Sequence, residues 1–515
     1  MSYLGLDVGT TGCKAAIFDR SGKLLSAAYR EYPIISQIEG WAEIDSQLVR
    51  ESCLAVIKEA ASHCSYKVRA LSISSQGEAF TPIGRNGEIL CNAMVSSDAR
   101  AASVIHSFGK KFGLQRLYDI TGHTAHPMFT LFKLLWLRDN QPDIWSSARR
   151  FYCFEELIQH ALGVEPSISY PLAGRTMMLD VRTHRWDDEI LSSLELEPSK
   201  LASPKPSGEV VGVIPTQIAC ELGLSEHTIV VAGGHDQPCG ALGSGVTDAG
   251  RAMYATGTVE CLCAAFAQPV FDRKLFDSNL CTYDYTIPGM FTTIAFSLTG
   301  GNLLKWFRDE WGYQEMQEAA RTGSDPYDLL LEAIPNTPTN LMTLPYFTPS
   351  GTPYFETDVK GAIFGLSLSS TRGEVLRSLL EGVAFEMRLN LDIMSRSGIK
   401  IDELVAVGGG AKSKKWTQLK ADVLNRPITT VAVTEAGCLG AAILARAGDT
   451  GEDIKSVANK WVQTTDVIEP NRDHSDVYDA RFADYVRLYP ALKKLSAERR
   501  GSDDPLPMSG RPGSQ

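Results

Sequence analysis

One local device occurs twice in this chain, and it constrains the fold more than any other feature. Near the start, an apolar stretch (Tyr3, Leu4, Leu6) runs into Asp7-Val8-Gly9-Thr10-Thr11-Gly12-Cys13-Lys14 and out into a second apolar stretch, Ala15 to Phe18. Near the middle, Ala252 to Tyr254 lead into Ala255-Thr256-Gly257-Thr258-Val259-Glu260 and out into Cys261 to Phe266. Each reads as strand, Gly-Thr turn, strand. Glycine lets backbone N–H groups approach phosphate oxygens closely, threonine hydroxyls add donors, and Lys14 adds charge. A strand-end carboxylate such as Asp7 can hold Mg²⁺ through water. One such turn is equally a plain β-hairpin. Two of them facing each other would clamp a polyphosphate between two similar α/β halves.

A chain of 515 residues is too long for one core, and its length sets a prior of about two to four domains. With 44% apolar and 22% charged residues it has the composition of an ordinary globular protein. A net charge of -11 argues against a nucleic-acid or anionic-membrane partner. No apolar run reaches transmembrane length and the first residues lack a signal-peptide pattern, so a cytoplasmic location is expected. Eleven cysteines without a Cys-x-x-Cys pair predict reduced, mostly buried thiols. His123 and His126 lack a third nearby ligand and read as loop side chains rather than a metal site.

Periodicity and turn residues organise the rest. Strands are expected at about 3–8, 13–19, 24–30, Val68 to Ser74 and Thr228 to Ala232, and a helix begins at a capping Asp45. Thr371-Arg372-Gly373-Glu374 is a capping box that opens a long helix over about 372–396. A third glycine cluster, Gly408-Gly409-Gly410-Ala411, lies between the strand Leu404 to Val407 and a helix capped by Ser413. That order brings backbone and a helix N-terminus close to a flat or anionic ligand, and it reads as the adenosine side of an ATP site. A dinucleotide fold fits poorly, because Gly9-Thr10-Thr11-Gly12 lacks the Gly-x-Gly-x-x-Gly spacing and is followed by a strand. Phosphoryl transfer to an alcohol needs a carboxylate beside the acceptor hydroxyl. Gly233-Gly234-His235-Asp236-Gln237, delivered by a strand, supplies Asp236 as candidate base, with His235 as its rival and helix capping as the plainer role for Asp236.

These residues resemble the FGGY carbohydrate kinases. Met128 to Asn140 is similar to that family's first signature, and Gly361 to Leu366 with Glu381-Gly382-Val383-Ala384 to its second. Gly40 to Asp45, Asp98-Ala99-Arg100, Gly300-Gly301, Leu344-Pro345-Tyr346 and Gly408 to Asp422 follow in the family's order, so the resemblance covers about residues 3–495. It implies an α/β chain of two actin-like (ribonuclease H-like) ATPase domains with a nucleotide cleft between them. The sugar-binding domain is expected over 1–246, the nucleotide-binding domain over 247–496, and a disordered tail over 497–515.

The resemblance also implies roles. Gly9, Thr10, Thr11 and Lys14 match the first phosphate loop, with Asp7 directing Mg²⁺; Gly257 and Thr258 match the second loop. Gly301 matches a position near the nucleotide phosphates, and Gly409, Gly410 and Ala411 match the adenosine motif. Asp236 matches the catalytic base, while Gln76, Gly77, Glu78, Asp98 and Gln237 fall where members contact sugar.

The departures lie around the sugar. Gly77-Glu78 stands where xylulokinases carry Met-His and glycerol kinases Arg-Glu, Ser96 replaces a common Trp, Met128 a Tyr, and Ser169 an Asp. Val95 to Arg100 with Ser75-Gln76-Gly77 is similar to L-xylulose kinases, whereas Ala173-Gly174 and Gly257 to Glu260 are similar to L-fuculose kinases. The expected activity is transfer of the ATP γ-phosphate to a hydroxyl of a ketose, such as xylulose or L-fuculose, or of a polyol. A homodimer stays open. The alternatives are a catalytically inactive sugar sensor and an actin-like ATPase that takes no sugar.

Overall fold

Both Gly-Thr hairpins open a sheet. In the computed structural model, which describes the backbone of residues 1–501 and side chains through 496, the first half begins with β1 (Ser2–Val8), β2 (Gly12–Asp19) and β3 (Leu24–Glu31). Helix α1 (Ser46–Ser62) follows, its Asp45 cap accepting from the N–H groups of Gln47 and Leu48 and its buried stripe carrying Val49, Cys53, Val56, Ile57 and Ala60. Then come β4 (Val68–Ser75), α2 (Thr130–Asn140), α3 (Phe154–Ala161), α4 (Tyr170–Gly174), β5 (Val210–Val213), β6 (Ile229–His235) and α5 (Asp236–Gly243). The second half runs through β7 (Arg251–Thr256), β8 (Glu260–Phe266), β9 (Tyr283–Asp284), β10 (Phe291–Ser297), α6 (Gly301–Trp311) and α7 (Pro326–Ala333). It ends with α8 (Arg372–Arg396), β11 (Glu403–Val407), α9 (Lys414–Leu424), β12 (Ile428–Val431), α10 (Ala436–Thr450), β13 (Thr464–Ile468) and α11 (Arg472–Gly501).

The two sheets repeat one topology. The first has strand order β3-β2-β1-β4-β6-β5 and the second β10-β8-β7-β11-β12-β13, with β9 added beyond β10. In each, three strands form an antiparallel meander, the hairpin's first strand pairs in parallel with the next strand in line and that strand in parallel with the one beyond it, and an antiparallel strand closes the edge. Register sets Asp7 opposite Lys14 on β2 and opposite Ser74 on β4, at the strand ends where the turns emerge.

The halves are joined by a returning helix. By sequence α10 belongs to the second half, yet it packs on β1, β4, β6 and α5. The approach is backbone to backbone. A Cβ at Gly440 would stand 1.9 Å from the Cys239 carbonyl oxygen, and one at Gly5 1.8 Å from that of Cys438. The long helix α8 spans the expected residues and carries the full capping box at Thr371 and Glu374. Disorder was expected from residue 497, but α11 continues to Gly501, because Ala-Glu-Arg-Arg at 497–500 are strong helix formers. The rest of that tail lies outside the described residues.

No helix among the described residues is long and apolar enough to cross a membrane. All eleven cysteines are free, and seven of them are buried, in line with the expected reduced thiols. His123 is a core side chain against Phe129 and Tyr283, and no cluster of metal-binding side chains occurs among the described residues.

Candidate active site

The second hairpin turn, the N-terminus of α6 and the third glycine cluster enclose one cavity of about 560 Å³. Its lining includes Gly257, Thr258, Gly301, Gly409 and Gly410, all expected from the sequence. Hydrogen bonds from Gly301 N–H to Gly257 O (2.9 Å) and from Asn302 N–H to Thr258 O (3.1 Å) dock α6 on the turn. Gly408 takes φ +90°, and a Cβ there would meet the Thr256 carbonyl oxygen at 2.5 Å, so only glycine lets the cluster lie against the end of β7. The positive end of α6 faces this space, which suits a polyphosphate. Ala411, expected at the nucleotide, lies on the short helical turn over 409–412 with its side chain against the core, and Lys412 and Ser413 beside it line the cavity. Tyr327 and Trp416 complete the walls, and neither belongs to a phosphate motif.

The first turn is tied down from behind. The Gln76 amide spans it, donating to Gly9 O at 3.1 Å and accepting from the Thr10 hydroxyl at 3.1 Å, while Tyr32 donates to Gly9 O at 2.7 Å. Gln76 was expected to grip sugar; this correction makes it a brace of the phosphate turn. Lys14, expected as free charge for phosphate, instead forms an ion pair at 2.8 Å with Glu435 at the start of α10. Thr11 is exposed at the tip. Asp7 accepts from Ser74 at 2.6 Å, and its other oxygen faces Gly437, where a Cβ would come within 2.7 Å. Burial raises its pKa, and the charge of Glu435 adds to that while Ser74 and Lys14 oppose it. A half-buried carboxylate with one oxygen free of hydrogen bonds fits Mg²⁺, which binds through one or two carboxylates, water and substrate phosphates.

Asp236 is aimed by a built distortion. The register of β6 on β4 shifts between Val231 and Gly234, and a Cβ at Gly233 would lie 1.8 Å from Ile73 O. Glu155 on α3 holds this bulge by accepting from the Gly233 N–H at 2.7 Å, and it also takes the Ser169 N–H and hydroxyl. Ser169, the family's missing Asp, is therefore part of this brace. Beyond the bulge, Asp236 starts α5, and its Oδ1 is buried without a hydrogen-bond partner. His235 Nε2 stands 3.2 Å away but is not aligned to bond. Desolvation, then the charges of Asp7 and Glu78, push the Asp236 carboxyl up to about 7. Burial and then Arg175 push His235 down to about 3, so it is neutral, with Nδ1 2.9 Å from the Tyr283 hydroxyl. A buried neutral imidazole fixed in this way is a poor rival base. Gln237 Oε1 is likewise buried and unpaired.

Beside Asp236, Glu78 sits in the left-handed region at φ +66°. The Thr130 hydroxyl holds its carbonyl at 2.9 Å, and its carboxylate takes Arg175 Nε at 2.5 Å and the Ser96 hydroxyl at 2.6 Å. Burial raises its pKa, but Arg175, the Ser96 hydrogen bond and Lys133 together outweigh that and hold the group at about 2. A Cβ at Gly77 would lie 3.0 Å from the His235 ring. Asp98 is a further correction. Arg100 and the Ala42 N–H occupy both its oxygens, and Arg100 in turn stacks on Trp41 at 3.6 Å, so Asp98 fixes a loop rather than a sugar. Arg175, Tyr283 and Glu155 escaped sequence reasoning, since none lies in a motif and each reaches the site through space.

Two family descriptions match the chain: the FGGY family of carbohydrate kinases, N-terminal domain, over residues 2–243, and its C-terminal domain over 252–448. Xylulose kinase of Bacillus subtilis (strain 168) is 24% identical over 96% of this chain and 98% of its own length. Gluconokinase of the same organism is 27% identical over 96% and 95%. The crystal structure of ligand-bound xylulose kinase from Lactobacillus acidophilus superposes with a TM-score of 0.87 and 25% identity, covering 96% of this chain and 99% of that one. The two family matches together take in most of the chain, and the chain belongs to the FGGY family of carbohydrate kinases and is an ATP-dependent sugar kinase.

Proposed function

We propose that this kinase phosphorylates a terminal hydroxyl of a ketose or polyol, with a ketopentose such as xylulose as the leading acceptor and L-fuculose next. The observation that carries this reading is Asp236 Oδ1, a buried carboxylate oxygen with no partner, at the start of a helix beside the polar Glu78–Arg175 pair. The acceptor O–H donates to Asp236. As the sugar oxygen bonds to the γ-phosphorus and the bond to the β-phosphate oxygen breaks, Asp236 takes that proton and later gives it to water. Gln237 orients the acceptor. The backbone of Gly9 to Thr11 and of Gly257-Thr258 holds the triphosphate in line, and the glycine cluster at 409–410 takes the adenosine. Mg²⁺, held by Asp7 through water, would neutralise charge on the phosphate oxygens. The match to a xylulose kinase over nearly the whole chain supports the acceptor class. Eleven free thiols support a cytosolic setting.

Coupled ADP release with ATP and Mg²⁺ against L- and D-xylulose, L- and D-ribulose, L-fuculose, erythritol and glycerol tests the reading. Turnover of one or a few is expected. Asp236→Asn should lower kcat by about 10²–10⁴-fold with sugar affinity retained. Near-full activity in that variant would remove Asp236 from the role of base.

A further inference from the structure

The acceptor pocket holds a cation that the Gly77-Glu78 dipeptide does not supply. Arg175 follows α4 and meets a carboxylate 97 residues earlier in the chain. Its Nε donates to Glu78 Oε1 at 2.5 Å and Nη2 contacts the same oxygen, while Nη1 makes no hydrogen bond among the described residues. The guanidinium is steadied 4.9 Å from the Phe129 ring and 5.6 Å from that of Tyr283, and the side chain keeps 8% of its surface exposed. Gly77 makes room for it, since a Cβ at that position would lie 3.3 Å from Arg175 Cβ as well as against His235. The other oxygen of Glu78 accepts from Ser96. The polar atom this pair leaves free is therefore a donor.

Charge decides what such a donor selects. Glu78 cancels Arg175, burial leaves His123, His126 and His235 neutral, and the fully buried Lys133 spends its ammonium on the carbonyls of Glu78 (3.4 Å) and Met94 (3.1 Å), which leaves Asp7 and Asp236 as the other nearby charged groups. A carbonyl or hydroxyl oxygen gains a hydrogen bond from Nη1. A carboxylate would meet two acids, while the one further cation, Lys133, is fully buried with its ammonium on two backbone carbonyls.

We propose that Arg175, countered by Glu78 and admitted by Gly77, is the acceptor-orienting donor of this site, and that the pair selects an uncharged ketose over an aldonate. This rests on reading the Asp236 pocket as the acceptor site. The test compares kcat/KM for pentuloses and hexuloses with that for aldonates of equal chain length, in the unaltered protein and in Arg175→Lys and Glu78→Gln. The unaltered protein should favour the ketose by about 100-fold or more, because an aldonate carboxylate finds no free cation. Arg175→Lys keeps the charge but loses the fork, so KM for ketose should rise about tenfold with KM for ATP unchanged. Glu78→Gln bares the guanidinium and should move the ketose-to-aldonate ratio about tenfold towards the aldonate. Equal losses on both acceptor classes in both variants would mean a merely structural pair and overturn the proposal. If Glu78→Gln does not fold, the KM split in Arg175→Lys decides alone. Preference for aldonates in the unaltered protein overturns the selection and leaves the kinase reading standing; turnover of neither class overturns both.

Discussion

Asp236 couples activity and stability to pH with opposite signs. Its carboxyl is raised from an ordinary 3.8 to about 7, chiefly by desolvation. A base must be ionised to act, so kcat/KM should fall about tenfold per pH unit below 7 and level off above it. A pH–rate profile that stays flat between 5 and 7 would contradict this. Stability runs the other way: with the folded pKa above the unfolded one, the folded state holds the proton more tightly, and that contribution is lost as pH rises through about 7. Asp236→Asn should therefore melt above the unaltered protein at pH 8, with the gap narrowing as pH falls towards 4. At this scale the placing of Asp236 at a strand end and of Gly257 and Gly301 in the cavity wall was legible, because close backbone approach or a strand-end acid demands particular residue types. Gln76 and Asp98 were placed at the sugar because an amide or carboxylate that braces a loop looks the same in sequence as one that binds substrate. Arg175 was hidden, since nothing local ties the residue after α4 to Glu78.

Among the elements, the crossing of α5 and α10 leaves no room for a side chain. A methyl group at Gly440 would sit 1.9 Å from the carbonyl oxygen of Cys239, on the helix that starts with Asp236. Gly440→Ala should cost about 1–3 kcal/mol, seen as a lower denaturation midpoint, with kcat reduced as the base shifts. Gly409→Ala is the contrast: a Cβ there meets nothing within 4 Å, so the fold should stand while the added methyl narrows the nucleotide cavity and raises KM for ATP. Equal stability losses in both would disprove the distinction. Strands and caps were readable because their signals are local, as the Asp45 cap and the Thr371 box illustrate. The attachment of α10 to the first sheet was not, because its apolar stripe, with Cys438, Leu439, Ala442 and Ile443, would serve either half equally well.

On the proposed assignment the acceptor binds in the first half and the nucleotide mainly in the second. Hydrogen exchange should show ATP protecting 256–260, 299–305 and 408–416, and a bound acceptor protecting 76–80, 172–177 and 233–240, with added protection of both sets when both ligands are present. Acceptor-induced protection confined to the second half would reverse the assignment. The repeat of two sheets was visible in the paired Gly-Thr turns, since each turn needs strands on both sides and each hairpin needs a sheet. The returning helix has one more consequence, for how the chain is made. Tyr3, Ala16, Phe18, Ala70 and Val231 on the first sheet share a core with Cys438, Leu439, Ala442 and Ile443 of α10. While the ribosome is still adding the second half, that apolar face has no cover. The first half should therefore finish folding only after the residues of α10 emerge, and residues 2–243, though continuous in sequence, should not hold their fold when expressed without that helix.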